Sequence, residues 1–104
     1  MLQPVLQNKL SDIGILCKKH KVANLYAFGS VCTDRFTEAS DIDMLVSFHR
    51  NMIPEETFAD NYLDLIDELE SLLGKEVELV SETSLKNRYF ISTVAKTKTP
   101  LYAG

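Results

Sequence analysis

Apolar positions recur along the chain with two periods, and these periods predict helices and strands. Between residues 6 and 19 they return every three or four positions, which is the spacing of an amphipathic helix. A longer helix is predicted between residues 54 and 74, because a proline and acids occupy its first turn and Gly74 follows its last apolar residue. The residues expected on the buried face of this longer helix are Phe58, Tyr62, Leu65, Leu69 and Leu72.

Three short runs have the character of β-strands. Residues 22–28 are mostly apolar and end at Gly29, which predicts a buried strand followed by a tight turn. Residues 41–48 begin Asp-Ile-Asp-Met, which places Ile42 and Met44 on the face opposite to the two acids. In residues 75–80 apolar and acidic side chains alternate, as in a strand that buries one face. A last helix is predicted at roughly residues 84–96, and an extended tail follows it.

The polar segment between the first two strands, residues 30–40, is turn-like, and we expect it to begin with a short helix. The predicted elements then follow the order helix, strand, short helix, strand, helix, strand, helix. This order predicts an α/β (α+β) fold, with a small mixed β-sheet flanked by helices. Because 104 residues suffice for one modest core, we expect residues 1–104 to form a single domain.

Composition and charge narrow the classes of function. The chain is 45% hydrophobic and 25% charged, which is ordinary for a globular protein, and it contains no apolar run long enough to span a membrane. A net charge of −4 argues against an extended contact with nucleic acid, which needs clustered Lys and Arg. The N-terminus lacks the pattern of a secretory signal, so we expect a cytoplasmic protein in which Cys17 and Cys32 are free thiols.

The strongest chemical feature is the combination of Gly29-Ser30 with Asp41 and Asp43. A glycine lets the backbone approach a ligand closely, and a helix that starts just after it offers N–H groups to a phosphate, to which Ser30 adds a hydroxyl. The second strand places Asp41 and Asp43 on one face, about 6.5 Å apart along the chain at about 3.3 Å per residue. We therefore expect these residues to bind a nucleoside triphosphate together with divalent metal.

Magnesium suits such a site because it binds carboxylate and phosphate oxygens together. Two ions are expected, as in two-metal phosphoryl transfer. A third carboxylate would complete the site and accept the proton of an attacking hydroxyl. Glu78 on the third strand is the candidate, although Glu76 shares its face and is the alternative.

Taken together, Phe28-Gly29-Ser30 and the run from Ser40-Asp41-Ile42-Asp43 to Val46 resemble the signature of the polymerase-beta-like nucleotidyltransferase superfamily, above all its minimal single-domain prokaryotic members. The Val77–Val80 run looks like the third-carboxylate strand of the family, and Pro100-Leu101-Tyr102 looks like its tail.

The resemblance implies the nucleotidyltransferase-like fold and a magnesium-dependent transfer of a nucleotide, usually AMP from ATP, to a hydroxyl. Many minimal members act as antitoxins that adenylylate a tyrosine of a HEPN-type toxin, so a HEPN partner is implied as well. The chain departs from its relatives in the loop after Ser30, where they usually carry arginine and glycine and this chain has Val31-Cys32-Thr33-Asp34-Arg35. Arg35 is the candidate to supply the missing positive charge to the nucleotide.

Two other functions remain open. The acceptor could be a small-molecule alcohol such as an aminoglycoside, with a companion subunit or an oligomer forming the rest of the site. Alternatively, the altered loop could have abolished catalysis, so that the chain would be a module that neutralises its partner by binding alone. Several charged or polar residues are expected to be merely solvated: Lys75, His20 and His49.

Overall fold

The computed structural model describes residues 2–84 and 87–104, which form a mixture of helices and strands. The helices of this part are α1 (Pro4–Gln7), α2 (Leu10–Lys19), α3 (Glu55–Leu73) and α4 (Arg88–Thr97). Its strands are β1 (Val22–Phe28), β2 (Ile42–Phe48), β3 (Val77–Ser81) and β4 (Thr99–Ala103). None of these helices is long and apolar enough to cross a lipid bilayer.

The strands form one mixed sheet in the order β3-β2-β1-β4. β1 pairs antiparallel with both β2 and β4, and β2 pairs parallel with β3. The parallel pair requires a crossover, and α3 supplies it. The mixed α/β fold predicted from the sequence is confirmed.

β2, one of the two inner strands of the sheet, buries residues on both of its faces. Ile42, Met44 and Val46 are fully buried on the face that α2 and α3 cover. On the opposite face Leu45 packs with Phe28 and with Val94 of α4. Since side chains alternate along a strand, Asp43 lies on the α4 face together with Leu45.

The long helix α3 follows the predicted pattern closely. Pro54 precedes it, and Gly74 ends it in the left-handed conformation with φ 68°. Leu65 and Leu69 of the predicted stripe are fully buried, whereas its other members, Phe58, Tyr62 and Leu72, are partly buried. Leu73 is buried in addition.

The two ends of the chain differ from the prediction. The helix expected at residues 6–19 is divided into α1 and α2 by a turn at Asn8 and Lys9. Just before α1, the backbone N–H of Gln3 donates to the carbonyl of Val31 (3.0 Å) in the turn after β1. The tail is a strand, β4, that extends the sheet beside β1.

The last helix begins at Arg88, because the side chain of Asn87 accepts hydrogen bonds from the two N–H groups of its first turn. Ser84, where this helix was expected to start, lies in a short 3-10 turn. Residues 85–86 of the prediction lie outside the described residues.

His20 is the clearest error among single residues. It was expected at the surface, but it is only 4% exposed. Its Nδ1 lies 2.9 Å from Oδ1 of Asn61, and its Nε2 lies 2.6 Å from a carboxylate oxygen of Glu68. These two partners on α3 satisfy the ring, which is how a buried polar group is accommodated.

Candidate active site

The turn after β1 is where the backbone comes closest to the acidic residues. Gly29 has φ 77°, a conformation that other residues adopt with strain. A Cβ atom at this position would lie 2.7 Å from Oδ2 of Asp43. The glycine therefore serves two purposes: it makes the turn and leaves room for the Asp43 carboxylate.

The turn is fixed from outside by α4. The backbone N–H of Gly29 donates to Oγ1 of Thr97 at 2.9 Å. The four residues Gly29–Cys32 form a 3-10 turn, which agrees with the short helix predicted there, and the carbonyl of Ser30 accepts hydrogen bonds from Thr33. Since the Gly29 N–H is already used, any phosphate at this turn would have to use the later N–H groups and the Ser30 hydroxyl.

Strand pairing brings two carboxyls together beside this turn. Asp43 pairs across to Phe28 on β1 and to Glu78 on β3. Asp43 is partly buried and Glu78 is exposed. Glu76, the alternative third carboxylate, precedes β3 and is not the register partner of Asp43.

The surroundings of Asp43 oppose its ionisation. Burial, the charge of Glu78, a hydrogen bond with Glu78 and the charge of Asp41 raise the pKa of Asp43 from 3.8 to about 6. Within residues 2–84 and 87–104, no Lys or Arg forms an ion pair with it. The site therefore concentrates negative charge that the surrounding protein leaves unbalanced.

The donor chemistry fits a divalent cation of the magnesium type. Carboxylate oxygens are the ligands that such an ion prefers, and its charge would relieve the repulsion around Asp43. Among the residues that the structure describes, however, no three His, Cys, Asp or Glu side chains lie close enough together to hold a metal ion. Asp41, just before β2, is exposed. That Asp41, Asp43 and Glu78 share metal stays a prediction.

The loop that connects the turn to β2 carries Arg35, the basic residue predicted to contact the nucleotide. Arg35 is exposed, and its backbone N–H donates to Oγ1 of Thr33 at 3.1 Å. In the described part of the chain, no ion pair joins Arg35 to a site carboxylate. Its role toward a nucleotide also stays a prediction.

Sequence reasoning missed two residues that hold the site in place. Thr97 binds the Gly29 turn, and Lys75 binds the loop by donating to the carbonyl of Glu38 while its ammonium lies 5.1 Å from the Phe36 ring. Lys75 had been expected to be a solvated charge. Both contacts join residues distant in sequence, so no local pattern could have indicated them. Cys17 and Cys32, by contrast, are free as predicted, and burial raises the pKa of Cys17 to about 12.

The mixed sheet, with the glycine turn and the carboxyl pair at neighbouring strands, is a fold of the nucleotidyltransferase type. A family model described as "Nucleotidyltransferase domain" matches residues 13–101. The chain belongs to this family of enzymes.

Known proteins agree with this assignment. The chain is 43% identical, over 75 residues that make up 72% of each protein, to a protein of Methanocaldococcus jannaschii assigned as a protein adenylyltransferase. Its fold matches a solved structure assigned as a minimal nucleotidyltransferase, with a TM-score of 0.73, 30% identity and 96% coverage of each chain. The resemblance inferred from the sequence is confirmed.

The fold is also that of an antitoxin. A structure of a tri-AMPylated Shewanella oneidensis HEPN toxin in complex with its MNT antitoxin matches with a TM-score of 0.63. The identity is 22%, and the match covers 95% of this chain and 73% of the other. At this identity the likeness concerns the fold alone.

Proposed function

We propose that this chain transfers AMP from ATP to a hydroxyl of a partner protein, a tyrosine of a HEPN-type toxin, and thereby acts as an antitoxin. The observation that carries the proposal is the pairing of Asp43 with Glu78 directly beside the Gly29 turn. Support comes from the relative assigned as a protein adenylyltransferase and from the shared fold of an antitoxin whose HEPN partner is AMPylated.

Each site residue has a proposed part in this reaction. The Gly29-Ser30 turn binds the triphosphate through the Ser30 hydroxyl and the N–H groups after Gly29, assisted by Arg35. Asp41, Asp43 and Glu78 hold magnesium, with two ions expected, and the bound metal supplies charge stabilisation for the triphosphate. Glu78 also receives the proton of the acceptor hydroxyl. The hydroxyl oxygen then forms its bond to the α-phosphorus of ATP, the bond from that phosphorus to the bridging oxygen breaks, and pyrophosphate leaves.

The openness of the site supports a macromolecular acceptor. Asp41 and Glu78 are both exposed, so the carboxylates lie at the surface and not at the bottom of a closed pocket. A tyrosine on the surface of another protein could approach such a site directly. We place the reaction in the cytoplasm, where Cys17 and Cys32 stay reduced, and in one domain formed by residues 1–104.

Mass spectrometry of the acceptor tests the proposal. The chain is incubated with ATP, Mg²⁺ and a candidate HEPN-type partner protein, which is expected to gain the mass of AMP on a tyrosine. Glu78→Gln should abolish this gain, whereas the matched variant Glu76→Gln should retain it because Glu76 does not pair with Asp43. No AMP on the partner with the unaltered chain would contradict the proposed reaction.

Two observations favour a second candidate, a module that neutralises its partner by binding alone. In the described ranges no three potential ligands are grouped closely enough for a metal ion, and Arg35 is exposed on its loop. The double variant Asp41→Asn with Asp43→Asn separates the two functions in a growth assay with the toxin. Rescue of growth by the double variant would establish binding without catalysis, and loss of rescue is expected for an enzyme.

A further inference from the structure

A groove runs between α2 and α3 on the side of the sheet that faces away from Asp43. Its volume is about 450 Å³. Its floor is apolar and is formed by Ile15, Leu16 and Leu72. Leu16 and Leu72 pack partly against the main core, so the groove is an open extension of that core. Because α2 and α3 cover the face opposite to α4, a molecule in the groove would leave the Asp43 side of the sheet free.

The groove exposes apolar surface that the chain itself does not cover. Ile15 is 65% exposed, the most exposed large aliphatic residue in the described part of the chain. Its neighbour Leu16 is only partly exposed and packs against the main core. Together the two residues form a continuous apolar surface from the core to the solvent. When a partner buries such an exposed aliphatic side chain, the apolar surface removed from water stabilises the complex.

The rim of the groove is acidic. Asp12 lies on the α2 side, and Asp67 and Glu68 lie on the α3 side. Glu68 is paired with Lys19 and His20, but in residues 2–84 and 87–104 neither Asp12 nor Asp67 forms an ion pair. The whole of α3 carries seven Asp and Glu residues and no Lys or Arg. Unbalanced negative charge therefore borders the apolar floor.

We propose that this groove binds a cationic amphipathic helix of a partner protein. The apolar ridge of the partner helix packs on Ile15, Leu16 and Leu72, and its Lys or Arg side chains pair with Asp12 and Asp67. A third helix laid between two packed helices is a common way to recognise a partner, with contacts at every third or fourth residue. The acids on both sides of the floor select a basic partner. This docking site is independent of AMP transfer.

Fluorescence anisotropy tests the proposal with a defined probe. The probe is a labelled synthetic helix of leucine and lysine with its leucines along one face, and the control is a peptide of the same composition whose scrambled order has no apolar face. At physiological ionic strength the full chain should bind the amphipathic probe and should bind the scrambled peptide at least about tenfold more weakly. Equal affinity for both peptides would overturn the proposal, because charge alone would then explain binding.

Matched variants locate the binding. Ile15→Asp should weaken probe binding by about tenfold or more, the effect of losing one buried aliphatic side chain. Leu63→Asp is the control, because Leu63 is a comparably exposed residue (58%) on α3 that does not line the groove, and it should change binding by less than about twofold. An Ile15→Asp chain that stays folded by circular dichroism and binds the probe unchanged would contradict the proposal.

Sedimentation of the chain alone tests the competing occupant, a second copy of the same chain. A monomer at the concentrations of the anisotropy experiment is expected. A dimer that Ile15→Asp dissociates would overturn the proposal and assign the groove to self-association.

Discussion

Asp43 is a carboxyl whose surroundings oppose its ionisation, and this has a consequence for stability. Its pKa is raised from 3.8 to about 6, first by burial and then by Glu78 and Asp41. The folded chain therefore holds the proton more tightly than the unfolded chain does. The stabilisation that results is complete below about pH 4 and is lost as the pH rises through about 6.

Replacing Asp43 by Asn should accordingly stabilise the chain in the absence of metal, but only at higher pH. At about pH 8 the variant should have the larger free energy of unfolding, and at about pH 4 the two chains should be nearly equal. Urea denaturation at the two pH values, with EDTA present, measures the difference. A variant less stable than the parent at pH 8 would show that the carboxylate is not repelled in the folded chain.

Gly29 and Gly74 form a matched pair for separating backbone strain from the contact with Asp43. Both have positive φ, but a Cβ at Gly74 meets nothing within 4 Å, whereas a Cβ at Gly29 meets Asp43. Gly74→Ala should lower the free energy of unfolding by about 1 kcal/mol through backbone strain alone. Gly29→Ala should lower it further, because its Cβ would also collide with the Asp43 carboxylate. Only Gly29→Ala should also weaken ATP binding, which isothermal calorimetry measures. Equal ATP binding by the two variants would remove Gly29 from the nucleotide site.

Among the elements, α4 supports the site through a hydrogen bond and an aromatic contact. Thr97 near its C-terminal end accepts the Gly29 N–H, while Phe90 packs edge-on against Phe28 with ring centroids 5.7 Å apart. The last helix therefore fixes the turn on which the proposed triphosphate site depends.

Thr97→Val should leave the Gly29 N–H without its partner and lower the free energy of unfolding by about 1–3 kcal/mol. Thr93→Val, one turn earlier on the exposed side of α4, is the control. It should lower the free energy of unfolding by less, because the Thr93 hydroxyl donates only to a carbonyl of its own helix. Denaturant unfolding compares the two. Equal losses would show that the hydrogen bond to Gly29 adds nothing to stability.

The elements that the sequence predicted best are those with a strong local signal. β1 has the predicted bounds, and α3 begins after Pro54 and ends before Gly74, because proline, glycine and apolar spacing act locally. β4 was predicted only as an extended tail, since strand pairing depends on a partner more than seventy residues away. The division between α1 and α2 was not predicted either, since the apolar spacing from Leu6 to Leu10 continues through it.

For the molecule as a whole, the sequence singled out candidate site residues but not how they meet. Asp43 and Gly29 were identified from residue type and spacing. The choice between Glu78 and Glu76 was open, because it depends on the register between β2 and β3, which the parallel pairing sets. The groove between α2 and α3 was not anticipated, since its lining comes from two helices that are distant in sequence.

The central claim is that Asp43 and Glu78, beside the Gly29 turn, bind ATP together with magnesium. Thermal unfolding with millimolar ATP and Mg²⁺ tests this most directly, because a ligand that binds only the folded state must raise the melting temperature. We predict a rise for the unaltered chain and for Glu76→Gln, and no rise for Glu78→Gln. An unchanged melting temperature for the unaltered chain, or an equal rise in Glu78→Gln, would contradict the account.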